Sequence, residues 1–123
     1  GTAITHSVPI ILSTASDSNT ATASNMYEQS IVSSFVSFTN TGTPAITFDM
    51  NIASVTDTGT GQTTISFETD YVDTNYVCVG NSNTAGAHVF FTAKAVASVL
   101  VNVNNFLGNA SDQGVDVMCI GNQ

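Results

Sequence analysis

Positive charge is nearly absent from this chain. Its 123 residues contain one lysine, Lys94, and no arginine, against nine Asp and Glu, for a formal net charge of -8 at pH 7. Phosphate contacts need clustered Lys and Arg, so this balance argues against nucleic acid as a partner. Long apolar runs are missing as well: the densest region, Val96 to Val103, is interrupted by Ser98 and Asn102. That falls short of the ~18 consecutive apolar residues a spanning helix requires, so the chain is not expected to be membrane-embedded. No basic segment precedes an apolar run, so no retained signal peptide is expected, and Gly1 in place of Met points to a processed chain or a piece of a longer one. Two cysteines and two distant histidines are too few for a Cys/His metal centre, and they permit at most one intrachain disulfide.

What is present is apolar content of 42%, too high for a disordered acidic tail and enough for one small core. Roughly a third of the chain is Ser, Thr and Asn. Small uncharged hydrogen-bonding groups of this kind suit a structural or recognition surface better than the wall of an active site.

The periodicity is that of strands. In Ile31 to Phe38, Ile31 and Phe35 face opposite to Val32, Val36 and Phe38. Ala45 to Ile52 alternates, with Ile46, Phe48, Met50 and Ile52 predicted on one face of a single strand. Thr63 to Thr69 points Ile65 and Phe67 inward and Ser66 and Glu68 to water. Between them Asp57-Thr58-Gly59-Thr60-Gly61-Gln62 has the composition of a tight hairpin turn. Tyr76 to Val79 reads as a short strand, His88 to Val103 as two strands or one bulged strand rather than a short helix, and Val115 to Ile120 as a closing strand. Seven to nine strands joined by short Gly, Asn and Asp turns predict an all-β fold, an antiparallel β-sandwich or jelly-roll-like domain over residues 29–123. Residues 1–28 read as an N-terminal strand, Ser7 to Leu12 with the edge-strand marker Pro9, followed by an extended arm, Ala15 to Asn25, suited to lie along a neighbouring subunit.

Chemistry is sparse. His6 and His88 have no acidic or thiol partner at a suggestive spacing. Glu68, Asp70 and Asp73 cluster after a strand but lack the spacing of a calcium loop and read as a solvated rim, as do Asp112 and Asp116. No catalytic residue, cofactor site or metal site is expected. Asn109-Ala110-Ser111 has the form of a glycosylation acceptor. Cys78 and Cys119 lie within apolar strand-like runs; buried free thiols are the favoured reading, and a disulfide between neighbouring strands is the alternative.

Four segments follow in an order that carries a resemblance. They are Phe35-Val36-Ser37-Phe38-Thr39-Asn40-Thr41-Gly42-Thr43-Pro44-Ala45-Ile46, Asn51-Ile52-Ala53-Ser54-Val55-Thr56-Asp57-Thr58-Gly59-Thr60-Gly61, Thr64-Ile65-Ser66-Phe67-Glu68-Thr69 and Asp73-Thr74-Asn75-Tyr76-Val77-Cys78-Val79-Gly80. Over residues 31 to 80 this series resembles a β-rich module of bacteriophage tail-fibre and virion structural proteins, of the type found in phages of aquatic bacteria. The chain departs from it in carrying Phe35 where tryptophan is common and in having almost no basic residues. The resemblance implies a non-enzymatic virion protein on the outer surface of the particle. It would be a homotrimer in contact with other virion proteins and would contribute to host attachment through a surface glycan or an outer-membrane protein. Capsid decoration and a lectin-like adhesin are the alternatives. Apolar residues on both strand faces, as in Ile31 to Phe38, suit burial of the second face against symmetry mates. Tyr27 and Tyr71 are the candidates for stacking on a ligand; Tyr76 is expected in the core.

Overall fold

The computed structural model describes residues 31–123. The expected strand Ser7 to Leu12, the arm Ala15 to Asn25, His6 and Tyr27 lie outside the described residues. Eight strands are present: β1 Val32–Thr39, β2 Ala45–Met50, β3 Ile52–Gly59, β4 Gln62–Phe67, β5 Val77–Ser82, β6 Ala87–Thr92, β7 Ser98–Asn105 and β8 Val115–Ile120. They form two four-stranded sheets of order β2-β1-β8-β5 and β3-β4-β7-β6, with every pairing antiparallel. The fold is the antiparallel β-sandwich that the alternation predicts. The chain changes sheet four times: at the edges from β2 to β3 and from β5 to β6, and by the connections from β4 to β5 and from β7 to β8.

One face of each sheet builds the core. Val36 and Phe38 of β1 and Val115, Val117 and Cys119 of β8 meet Ile65 and Phe67 of β4 and Val99, Val101 and Val103 of β7, all buried. Alternation places these residues on one side, because a period of two sends i and i+2 to the same face. At one end the core is closed by aromatics. The Tyr71 and Tyr76 rings stack at 4.2 Å, and the Phe67 ring meets both edge-on.

The expected single strand over Ala45 to Ile52 is broken. Asn51 takes a left-handed conformation with φ 59°, which Asn tolerates better than most residues, and its side chain fixes the corner. Its amide nitrogen donates to Ser34 Oγ at 3.0 Å and to the Thr69 carbonyl at 3.1 Å, and its Oδ1 accepts the Thr69 N–H at 2.6 Å. Ile52 therefore enters the second sheet and the core, while Ile46, Phe48 and Met50 stay on an exposed edge strand of the first. A bulge further separates Ile46 from Phe48, since Ser37 pairs with Phe48 and Phe38 with Ile46.

The hairpin forms where its composition predicts, with Thr60 and Gly61 between β3 and β4. Gly61 has φ 68°, and a Cβ there would lie 2.5 Å from the Val103 carbonyl oxygen, so both conformation and space demand glycine. The region His88 to Val103 resolves into two strands, β6 and β7.

The favoured reading of the cysteines is overturned. Cys78 and Cys119 are directly opposite in the β5–β8 ladder, on its core side, with their Cα atoms 4.1 Å apart, and they form a disulfide. Alternation locates each thiol on a face but does not reveal that β5 pairs with β8, and that pairing decides the bond.

The disulfide ties edge strand β5 to a central strand across a sequence separation of 41. Closing a loop of that length contributes about 4 kcal/mol in the chain-entropy model. Denaturant unfolding of the Cys78→Ala, Cys119→Ala double variant should show a loss of about 2–4 kcal/mol with the β-sheet circular dichroism spectrum retained. An unchanged midpoint would show that the cross-link contributes nothing.

Candidate functional site

The outer faces of the two sheets differ in chemistry. On the second sheet the rows running across the strands are Ser54–Ser66–Ser98, Thr56–Thr64–Leu100–Thr92 and Gln62–Asn102–Phe90. Gln62 Nε2 donates to Asn102 Oδ1 at 3.2 Å and Asn102 Nδ2 to Thr92 Oγ1 at 2.9 Å. Apart from Leu100 and Phe90, which no apolar row joins, this face is a lattice of hydroxyls and amides suited to water.

On the first sheet one row is Phe48–Ser37–Asp116–Asn81, the next Met50–Phe35–Met118–Val79 and the third Val32–Ile120–Val77. Two successive rows are therefore wholly apolar. Met50, Val77, Val79 and Met118 are exposed, and Phe48 is exposed to 60% of its surface. The Phe35 and Phe48 rings contact each other at 5.3 Å. Val32, Phe35, Phe48, Val79 and Met118 wall a shallow groove of about 920 Å³ whose floor is the sheet itself. Its one carboxylate, Asp116, accepts a 2.6 Å hydrogen bond from Ser37 Oγ. A contiguous apolar surface rimmed by polar groups marks a contact site, because leaving it in water forgoes the free energy of burial.

The predicted stacking residue Tyr71 is not on this surface or any other. It is only 2% exposed, its ring packs against both Phe67 and Tyr76, and its hydroxyl shares hydrogen bonds with Ser33 Oγ at 2.8 Å and Ser34 Oγ at 2.9 Å. The short connection from β4 folds it back under the end of the sandwich, where burying an aromatic ring is worth more than exposing it. Tyr76 is in the core, as expected, and its hydroxyl proton is shared between the carbonyl oxygens of Ala95 and Ser98, each at 2.9 Å. The only cation in the chain is engaged here as well: Lys94 Nζ donates to the Tyr76 carbonyl at 2.7 Å and lies 5.2 Å from the centre of its ring.

The carboxylates are dispersed. Asp73 accepts the Asn75 N–H and Asp112 the Gly61 N–H, both as turn-fixing contacts. His88 stacks on Phe90 at 5.7 Å. Among the described residues no three His, Cys, Asp or Glu side chains are grouped to hold a metal ion.

Two features escaped sequence reasoning. The apolar rows were signalled only by strands lacking polar alternation, as in Val77-Cys78-Val79 and Val117-Met118-Cys119. The exposed pair Phe106-Leu107, flanked by Asn105 and Gly108, has the composition of a turn carrying apolar side chains. No family model, curated protein or solved structure matches the chain.

Burial, reinforced by the Tyr71 phenol beside it, pushes the Tyr76 pKa up to about 12 from the usual 10.0. Between those values the folded chain binds more protons than the unfolded one, so stability falls as pH rises from 10 to 12 and this contribution is complete below 10. Tyr76→Phe should flatten that alkaline limb and cost about 0.5–1.5 kcal/mol at neutral pH, since the Ala95 and Ser98 carbonyl oxygens lose the hydroxyl but each keeps a backbone N–H donor. Unfolding curves across the alkaline range test this; an identical slope in the variant would contradict it.

Proposed function

We propose that this chain is a non-enzymatic structural module of a bacteriophage virion, in a tail fibre or related appendage, which assembles with copies of itself and contributes to host attachment. The observation that carries the reading is the apolar outer face of the first sheet. A strand needs one apolar face to build a sandwich, and here β1, β5 and β8 have two. Such residues belong to a module whose second face is covered in its working state. The resemblance over residues 31 to 80 supplies the virion setting. The disulfide suits a chain exposed to an oxidising exterior, as on a particle surface. The hydroxyl and amide lattice of the second sheet remains free for weak polar contacts with a host glycan, contacts that repetition in an oligomer strengthens.

Light scattering over a range of concentrations tests the self-association. A trimer of three times the 12.7 kDa chain mass is expected. Phe48→Ser and Val79→Ser, both at exposed positions that leave the core intact, should each weaken assembly by on the order of tenfold or more, from the ~1.5–3 kcal/mol that burying such a side chain contributes. A wild-type chain that stays monomeric at every concentration would overturn the self-assembly reading.

A further inference from the structure

The segment between β7 and β8 presents a second apolar feature, convex where the groove is concave. Asn105 Oδ1 accepts the N–H groups of Leu107 at 3.0 Å and Asn109 at 3.1 Å. The Asn105 carbonyl accepts the Gly108 N–H at 2.9 Å, and the Asn105 N–H donates to the Asn109 carbonyl at 2.8 Å. This turn fixes its backbone through its own hydrogen bonds and holds Phe106 and Leu107 outward, 81% and 69% exposed, the most exposed large apolar side chains among the described residues. The Phe106 ring runs beside Gly86 of the β5–β6 connection, where a Cβ would lie 3.6 Å from it, and this gives the ring a direction. A tip ordered before binding loses little conformational freedom when it docks.

We infer that the Phe106–Leu107 tip of one copy seats in the groove walled by Phe35, Phe48, Val79 and Met118 on the next copy. This rests on the self-assembling reading above and names the surfaces that meet. Two identical grooves placed face to face would enclose a void and forfeit contact on both sides, so the groove needs a convex occupant. The tip supplies one of matching chemistry. Charge favours a second copy as well: residues 95–111 contain no charged side chain, and the one carboxylate of the groove is already bonded to Ser37. Two strongly acidic chains therefore meet through these surfaces without opposing carboxylates, and with Lys94 engaged at Tyr76 no ion pair is needed. Tip and groove are different patches of one chain, so the contact is head to tail. It closes into a ring if the rotation between copies allows, and a ring of three requires 120°.

A complementation experiment on the full chain decides the matter. The Phe106→Ser, Leu107→Ser variant keeps its groove and the Phe48→Ser, Val79→Ser variant keeps its tip, with circular dichroism and unfolding midpoints reporting that each is folded. Alone, each should be at least tenfold weaker in assembly than the wild type. Mixed in equal amounts, they should form a pair of twice the 12.7 kDa chain mass and nothing larger, since one copy lacks a tip and the other a groove. A trimer that survives the tip substitutions overturns this inference and leaves the self-assembling reading standing. Dissociation by Ile10→Asp and Ile11→Asp, with no effect of the tip substitutions, assigns the groove to the N-terminal segment and overturns it equally. A wild-type monomer overturns both.

Discussion

The two sheets are held by contact between their inner faces, and the remaining features depend on that contact. Val36, Phe38, Val115 and Val117 on one side and Ile65, Val99, Val101 and Val103 on the other exclude water from the centre. The stacked Tyr71 and Tyr76 rings with Phe67 close one end. Because a strand's side chains alternate strictly, committing one face to the core commits the other to the outside. The sequence has no further freedom there, and what stands on the outer positions declares how each outer face is used. The second sheet places mostly Ser, Thr, Gln and Asn there, with Leu100 and Phe90 isolated among them. The first sheet places Phe35, Met50, Val77, Val79 and Met118 there.

That asymmetry joins the physical account to the functional one. A chain with one lysine, no arginine and nine Asp and Glu cannot rely on ion pairs to bring identical copies together, so the self-association proposed above would have to use uncharged surfaces. The groove and the Phe106–Leu107 tip are such surfaces. Asp116 alone lies in the groove, where it accepts the Ser37 hydroxyl; Asp57, Asp73 and Asp112 serve elsewhere as acceptors for backbone N–H groups of turns. The disulfide holds β5, and with it Val77 and Val79, firmly against β8, so the apolar face is a fixed surface rather than a frayed edge.

Much of the fold was legible in the sequence because alternation and turn composition are local signals. β1, β4, the turn before it and β8 follow from residues that are neighbours along the chain, and the inward faces of Ile65, Phe67, Val36 and Phe38 follow from period two. What was not legible depended on contacts distant in sequence. The Cys78–Cys119 bond needed the β5–β8 pairing. The break at Asn51 depended on Ser34 and Thr69 receiving its side chain, and without them Ala45 to Ile52 reads as one strand. Tyr71 read as free because it stands outside the alternating strand segments, between Asp70 and Val72, yet Ser33 and Ser34 of β1 satisfy its hydroxyl beneath the sandwich. The site itself was half legible: apolar residues on both faces of β1 were evident, whereas the rows they form with β2, β5 and β8 exist only once the strands are in register.

The central claim is that the outer face of the first sheet is covered in the working protein, and its two methionines report on that directly. Met50 and Met118 share the Phe35 row and are exposed in the single chain, where peroxide would convert each to the sulfoxide. Peptide mass spectrometry after a brief peroxide pulse, repeated across protein concentrations, measures their accessibility. The account predicts that both are oxidised readily in dilute solution and become protected as concentration drives assembly, by tenfold or more in rate. Oxidation at an unchanged, fast rate in concentrated protein would show that this face stays in water and would contradict the account.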